Sequence, residues 1–169
     1  MSEPVRLLGD PVLYKPCVEL PPESISEEYI QPILDTMKET MEAENGIGLA
    51  ANQIGRSLRI FILKNDDGSV TEYINPLILV ATEFVDFEGE ACLSVPGASA
   101  ITRRYKNLTL RWVDKNGLSH EADFKDRAAF AVQHEIDHLN GKLYLDQFGP
   151  VKKQLLTKKH KKYMRLLRR

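Results

Sequence analysis

The pentapeptide His134-Glu135-Ile136-Asp137-His138 constrains this chain more than any other stretch. An H-E-x-x-H pattern acquires chemical meaning only on a helix. There, residues four apart share one face, so two imidazoles converge on a single metal ion while the glutamate beside the first reaches its water. The surrounding sequence predicts that helix: Asp126 is a candidate cap, Ala128 to Leu139 carries the element, and Asn140-Gly141 is its stop. A catalytic metal usually takes three protein ligands and keeps a position open for water, so a third ligand must come from elsewhere. The extended pattern H-E-x-x-H-x-x-G-x-x-H finds Gly141 but then Tyr144 where its last histidine belongs, and no glutamate follows Glu135. The third ligand is therefore expected upstream, where Cys92 and Cys17 are the soft donors. Cys92, inside the turn-bounded segment Glu-Ala-Cys-Leu-Ser-Val-Pro-Gly, is the better candidate. Cys17 reads as a small buried hydrophobe, and His120 and His160 read as surface residues.

With 169 residues the chain is long enough for one domain with a substantial core. Its 43% apolar and 28% charged residues argue against disordered, collagen-like and membrane classes. Two cysteines form no disulfide framework, which points to a reducing compartment. Pro4, Arg6, Gly9, Asp10 and Pro11 interrupt the N-terminal stretch, so no leader-like apolar run is present and a cytoplasmic location is expected. The net charge of -1 conceals an asymmetry: residues 151–169 hold nine Lys or Arg and no acid, leaving 14 basic against 24 acidic residues in 1–150. Such a tail is an electrostatic footprint for a polyanion such as RNA. The same composition also fits a solubilising tail, and Leu155, Leu156, Tyr163, Leu166 and Leu167 allow it to pack on the body as a helix.

The remaining pattern mixes helices and short strands without repeats. Ser24 or Ser26 caps a predicted helix with Ile30, Ile33, Leu34, Met37 and Met41 at helical spacing, ending near Asn45-Gly46. Pro32 is expected to kink it or mark its first turns. Strand-like runs follow at Leu58 to Leu63, Val70 to Ile74 and Pro76 to Val85. Leu108 to Val113 and Leu118 to Phe124 flank Asp114-Lys115-Asn116-Gly117, which predicts a hairpin. Pro150 suits the first turn of a third helix made by the basic tail.

A second segment, Gly46-Ile47-Gly48-Leu49-Ala50-Ala51-Asn52-Gln53, lets backbone pass close to a ligand, although by itself it fits a helix end and a packed connection equally well. Three motifs in order, this one, Glu-Ala-Cys-Leu-Ser and H-E-x-D-H, make nearly the whole chain resemble the peptide deformylase family, with its pattern G-x-G-x-A-A-x-Q, E-G-C-L-S and H-E-x-D-H. The resemblance implies an α+β fold of antiparallel β-sheets packed around a central metal-binding helix, with an N-terminal helix and a basic C-terminal helix. Residues 1–169 then form a single catalytic domain, with 151–169 its helical tail. It implies removal of the formyl group from N-formylmethionine of nascent polypeptides, with release of formate. Carried over by position, Cys92, His134 and His138 are the metal ligands and Glu135 the acid/base. Gln53 and the backbone N–H of Leu93 form the oxyanion site. The cofactor implied is one divalent metal, Fe(II) in the native enzyme, with Ni, Co or Zn as substitutes; a thiolate ligand suits these ions chemically.

The same resemblance lays an extended peptide along Gly46 to Leu49 and the residues before Cys92. Ile47, Gly48, Ala91, Phe130 and Ala131 are its candidate substrate-binding residues, with Leu93 as a further pocket wall; the apolar ones fit routine core positions equally well. The chain departs from the family pattern at Ala91, where the family has glycine, and it presents Phe87, Glu88 and Ser99 near the pocket rim. Arg104, in preference to Arg103, is a candidate partner of Asp137. The expected partners are formylated nascent peptides and, through the tail, the ribosome; a monomer without membrane attachment is expected. Two other functions fit the motifs: a zinc endopeptidase, or a non-catalytic ribosome- or RNA-binding protein with a structural metal.

Overall fold

The chain is described by a computed structural model over residues 2–168. Helix α1 (Glu27–Ala43) comes first and α2 (Asp126–Leu139) and α3 (Pro150–Leu167) come last. Between them run β1 (Gly48–Ala50), β2 (Ile60–Lys64), β3 (Val70–Ala91), β4 (Ser99–Val113) and β5 (Ser119–Lys125). The five strands pair antiparallel in chain order, so β1 and β5 are the sheet edges.

Ser26, rather than Ser24, caps α1 by accepting the Tyr29 N–H at 3.4 Å. Pro32 lies inside this helix. Ile30, Leu34, Met37 and Met41 line its buried stripe, packing against Leu49, Ile60, Ile62 and Ile74. Asp126 is not the cap of α2. Lys125 occupies that position, without a side-chain bond, because β5 runs straight into the helix. The abrupt strand-to-helix turn puts Asp126 at φ 51°, a left-handed conformation that aspartate tolerates better than most residues. Ala129, Val132, Ile136 and Leu139 then turn one face of α2 into a core shared with Phe61, Tyr73, Leu108 and Leu110.

Where two apolar runs were expected, Val70 to Ala91 forms one strand. Asn75 (φ 49°) and Pro76 sit at a shift in its register with β4, so the strand absorbs a proline without ending. The Asn75 side chain ties this irregularity down by accepting the Leu20 N–H at 2.9 Å and donating to the Leu20 carbonyl at 2.7 Å. Strand β4 starts at Ser99, well before the predicted Leu108. Its first half buries Thr102 and Arg104, polar residues that carry no apolar alternation to read.

Helix α3 begins at Pro150, as expected, but its inner face is not solvated. Leu156 packs in a cluster with Cys92, Val95, Ala98 and Tyr144. His160 is buried rather than superficial, and its Nδ1 donates to the Pro96 carbonyl at 3.0 Å. Gly97, at φ 80°, lies so close under the Tyr163 ring that any β-carbon there would overlap it. The helix thus braces the loop that follows Cys92.

Cys17 is buried beside Leu139, whose carbonyl accepts its backbone N–H at 2.8 Å. Burial pushes its thiol up to about 11, against a smaller opposing pull from Arg59. At pH 8 roughly one such thiol in a thousand is ionised. Iodoacetamide is therefore expected to label Cys17 only after unfolding, and rapid labelling of the native protein, read by mass spectrometry, would contradict its burial.

Candidate metal centre

Helix α2 delivers His134 and His138 to one face, their ring centroids 5.0 Å apart. The end of β3 and the turn that follows deliver Cys92 to the same place. Donor atoms of Cys92, His134 and His138 all lie within 4.8 Å of one another, and Cys92 Sγ is 3.1 Å from His138 Nε2. Ligands spanning a tetrahedral ion at about 2.0–2.3 Å each are separated by comparable distances, so the three donors fit one divalent metal. Their chemistry fits too. Burial alone raises a thiol, yet the neighbouring imidazoles of His138 and His134 outweigh it and hold Cys92 well below its usual range, in the thiolate form that a metal takes.

His134 is oriented by Glu90, the first residue of the Glu-Ala-Cys-Leu-Ser motif, to which the sequence reading gave no role. Its Nδ1 meets Glu90 Oε1 at 2.6 Å, leaving Nε2 for the centre. Glu90 is 2% exposed and is held in turn by Arg104, with Nη2 to Oε1 at 2.5 Å and Nε to Oε2 at 3.0 Å, and by the Thr102 hydroxyl. Desolvation works against the Glu90 charge, but hydrogen bonds from His134 and Arg104 prevail and bring it down to about 2. Arg104 also reaches Asp137 Oδ2 from Nη1 at 2.6 Å, which is the pairing preferred from sequence. One signal for Glu90 was available. It stands two residues before Cys92, and alternate residues of an extended segment point to the same face.

Glu135, 4% exposed, faces the glycine-rich segment. A β-carbon on Gly48 would strike its Oε1 and come within 2.7 Å of Leu63 Cδ2, so only glycine lets β1 pass here. Its Oε2 has no hydrogen-bond partner among the described residues. Burial raises its carboxyl to about 7, with His134 and His138 pulling the other way. The 3-10 turn Ala51–Ile54 carries Gln53, whose Oε1 accepts the Ala50 N–H at 2.9 Å. Gln53 Nε2 is thereby directed to Ser94 Oγ at 3.0 Å and Cys92 Sγ at 3.7 Å.

The candidate substrate residues divide. Ile47 is 68% exposed and Gly48 adjoins Glu135. Ala91 lies exposed at the end of β3, with Gly89 rather than Ala91 taking the positive φ. Phe130 is half-buried against Phe87, their ring centroids 4.7 Å apart, and Ala131 packs on the α2 core. Leu93 instead turns toward the α1 cluster, close to Gly46 and Met41.

The polypeptide deformylase family model matches residues 2–154. The chain belongs to the peptide deformylase family. A peptide deformylase of Pseudothermotoga lettingae is 43% identical over 159 residues, covering 94% of this chain and 90% of that protein. One from Fusobacterium nucleatum is 38% identical, covering 92% and 88%. Among solved structures, a peptide deformylase from Legionella pneumophila superposes with a TM-score of 0.93 at 34% identity, covering 100% of this chain and 99% of that one. A Met-Ala-Ser-bound class I type b peptide deformylase from Acinetobacter baumannii superposes with a TM-score of 0.81 at 28% identity, covering 88% and 99%.

Removing one partner of a buried ion pair leaves the other charge uncompensated, at a cost of about 3–5 kcal/mol. Glu90→Ala is expected to destabilise this deformylase-family protein by that order and to weaken metal binding about 10- to 100-fold. Thermal unfolding and chelator competition measure the two effects. Wild-type values for both would show that the network around Arg104 supports neither fold nor site.

Proposed function

We propose that the protein hydrolyses the formyl group from N-formylmethionine at the start of nascent polypeptides, and that residues 1–169 act as one catalytic domain. The convergence of Cys92, His134 and His138 beside the buried Glu135 carries this reading. In it those three residues hold one divalent metal, Fe(II) natively with Ni, Co or Zn as substitutes; a thiolate with two imidazoles is a donor set suited to all of these. When bound, the metal supplies Lewis acidity and makes a water nucleophilic near neutral pH.

The chain's own groups do the rest. Glu135, with a carboxyl near 7 and one oxygen without a hydrogen-bond partner among the described residues, takes the proton of the attacking water and later delivers it to the leaving amine. The products are formate and a free N-terminus. As the formyl carbon becomes tetrahedral, its oxygen gains charge, and the Gln53 amide and the Leu93 N–H donate to it. Gln53 is suited to this because its Oε1 is anchored on Ala50, which holds Nε2 beside Cys92, where it exchanges its long contact with the sulfur for the oxyanion.

The substrate backbone pairs with β1, an edge strand that among the described residues pairs with β2 alone, which suits strand addition. Ile47, Gly48, Ala91, Phe130 and Ala131 border this path, and Phe87 behind Phe130 gives the methionine side chain an apolar wall. The peptide bound to the Acinetobacter relative, Met-Ala-Ser, has the form of a deformylated product.

Formate release from a formyl-methionyl tripeptide tests the reaction. Fe(II)- or Ni(II)-loaded protein is expected to turn over. A chelator or Glu135→Ala is expected to lower the rate at least a hundredfold. Cleavage of internal peptide bonds without formate would mark an endopeptidase, and metal-dependent stability without turnover would mark a non-catalytic metal protein.

A cytoplasmic monomer fits this activity, and no helix among the described residues is long and apolar enough to cross a membrane. The ribosome is the proposed partner of α3. Lys153 is paired with Asp146, and Lys152 lies 3.9 Å above the Phe148 ring, whereas Lys158, Lys159, Lys161 and Lys162 stand exposed. Because the inner face of α3 braces the Cys92 loop, deleting residues 151–169 would confound binding with catalysis; charge removal on the outer face does not. Replacing Lys158, Lys159 and Lys162 by Gln is expected to weaken ribosome binding, reduce its salt slope by about one for each phosphate no longer neutralised, and spare turnover of small formyl peptides. Unchanged ribosome affinity would refute the tail's role.

A further inference from the structure

Two of the three candidate ligands have evident supports: Glu90 fixes the His134 ring, and Gln53 with Ser94 flanks Cys92. His138 is held differently. Its Nε2 faces Cys92 Sγ, while its Nδ1 is buried and has no hydrogen-bond partner among the described residues. The support reaches its backbone instead. Asn52, 0% exposed, donates from Nδ2 to the His138 carbonyl at 2.7 Å across 86 residues of sequence. His138 lies in the last turn of α2, where its carbonyl already accepts the Gly141 N–H at 3.0 Å, and the Asn52 amide adds a second donor that reaches it from outside the helix. Asn52 Oδ1 is itself buried without a hydrogen-bond partner among the described residues. Burying an amide with one end unpaired is unfavourable, and the bond to His138 is the compensating interaction. The family pattern G-x-G-x-A-A-x-Q leaves this position open, so the motif assigns Asn52 no role.

We propose that Asn52 is the positioning residue of His138, setting where this ring stands relative to Cys92 and so the metal affinity of the site. Asn52 and Gln53 are neighbours on one 3-10 turn, Ala51–Ile54. Gln53 reaches toward Cys92 and Asn52 grips His138, so a single rigid turn spaces the sulfur donor from one nitrogen donor. Loss of the amide donor frees the end of α2 to shift, and the spacing of the two ligands relaxes with it. Supporting partners of this kind commonly govern affinity and coordination geometry although they never touch the ion.

The inference rests on the Cys92–His134–His138 reading, and Co(II) binding by the full chain tests both separately. Asn52→Ala removes the donor; Asn52→Asp keeps the shape but turns an oxygen toward the carbonyl. Ile54→Val alters packing in the same turn without touching His138. The two Asn52 variants are expected to bind Co(II) about 10- to 100-fold more weakly in chelator competition and to shift the Co(II) visible spectrum. Ile54→Val is expected to keep the wild-type affinity and spectrum. Wild-type affinity and spectrum in both Asn52 variants would overturn the proposal. So would equal losses in Ile54→Val, or failure of both Asn52 variants to fold, since each outcome makes the role merely structural. Failure of the wild-type chain itself to bind Co(II) would instead overturn the metal reading on which the proposal rests.

Discussion

Arg104 enters the interior from β4 and joins two carboxylates, Glu90 of β3 and Asp137 of α2, with only 5% of its own side chain exposed. An unpaired guanidinium at such a position would be costly, so the three elements are held in one mutual arrangement. Everything at the centre follows from that arrangement. Glu90 is oriented by Arg104, His134 by Glu90, and the second carboxylate that Arg104 grips belongs to the helix carrying both histidines. The network is a clamp between strand and helix as much as a set of charge pairs. It converts the stiffness of a long hairpin into a fixed imidazole orientation.

Around this clamp the site is closed by close approach. Gly48 lets an edge strand run against Glu135, and that burial is what raises the carboxyl toward neutrality. A larger residue at 48 would separate the strand from the helix and readmit water. On the opposite side, Leu156 and His160 of α3 press on the segment following Cys92. The basic tail therefore has two faces with different duties, an inner one that shapes the thiolate loop and an outer one that presents charge.

Local signals accounted for the helices well. The periodicity of α1, the stop after Leu139 and the proline opening α3 all correspond to bonds between near neighbours. The failures have physical causes. Asp126 looked like a cap because aspartate commonly is one, but a strand running directly into α2 left it in a strained turn instead. The first half of β4 was invisible because Thr102 and Arg104 face inward. His160 looked superficial because its neighbours are lysines, and only docking of the helix turned it toward Pro96.

The sequence by itself determined the donor chemistry: two histidines one helical turn apart with a glutamate between them, a distinctive cysteine, and a glutamine after a glycine-rich run. Those are properties of residue type and short spacing, which a helix or a turn realises without outside help. Tertiary structure alone decided which groups stand behind the donors. Glu90 lies 44 residues from His134, and Asn52 lies 86 from His138. Such pairings depend on strand register and on the docking of α2 across the sheet. No local periodicity encodes them, because they exist only once distant segments have buried their apolar faces together.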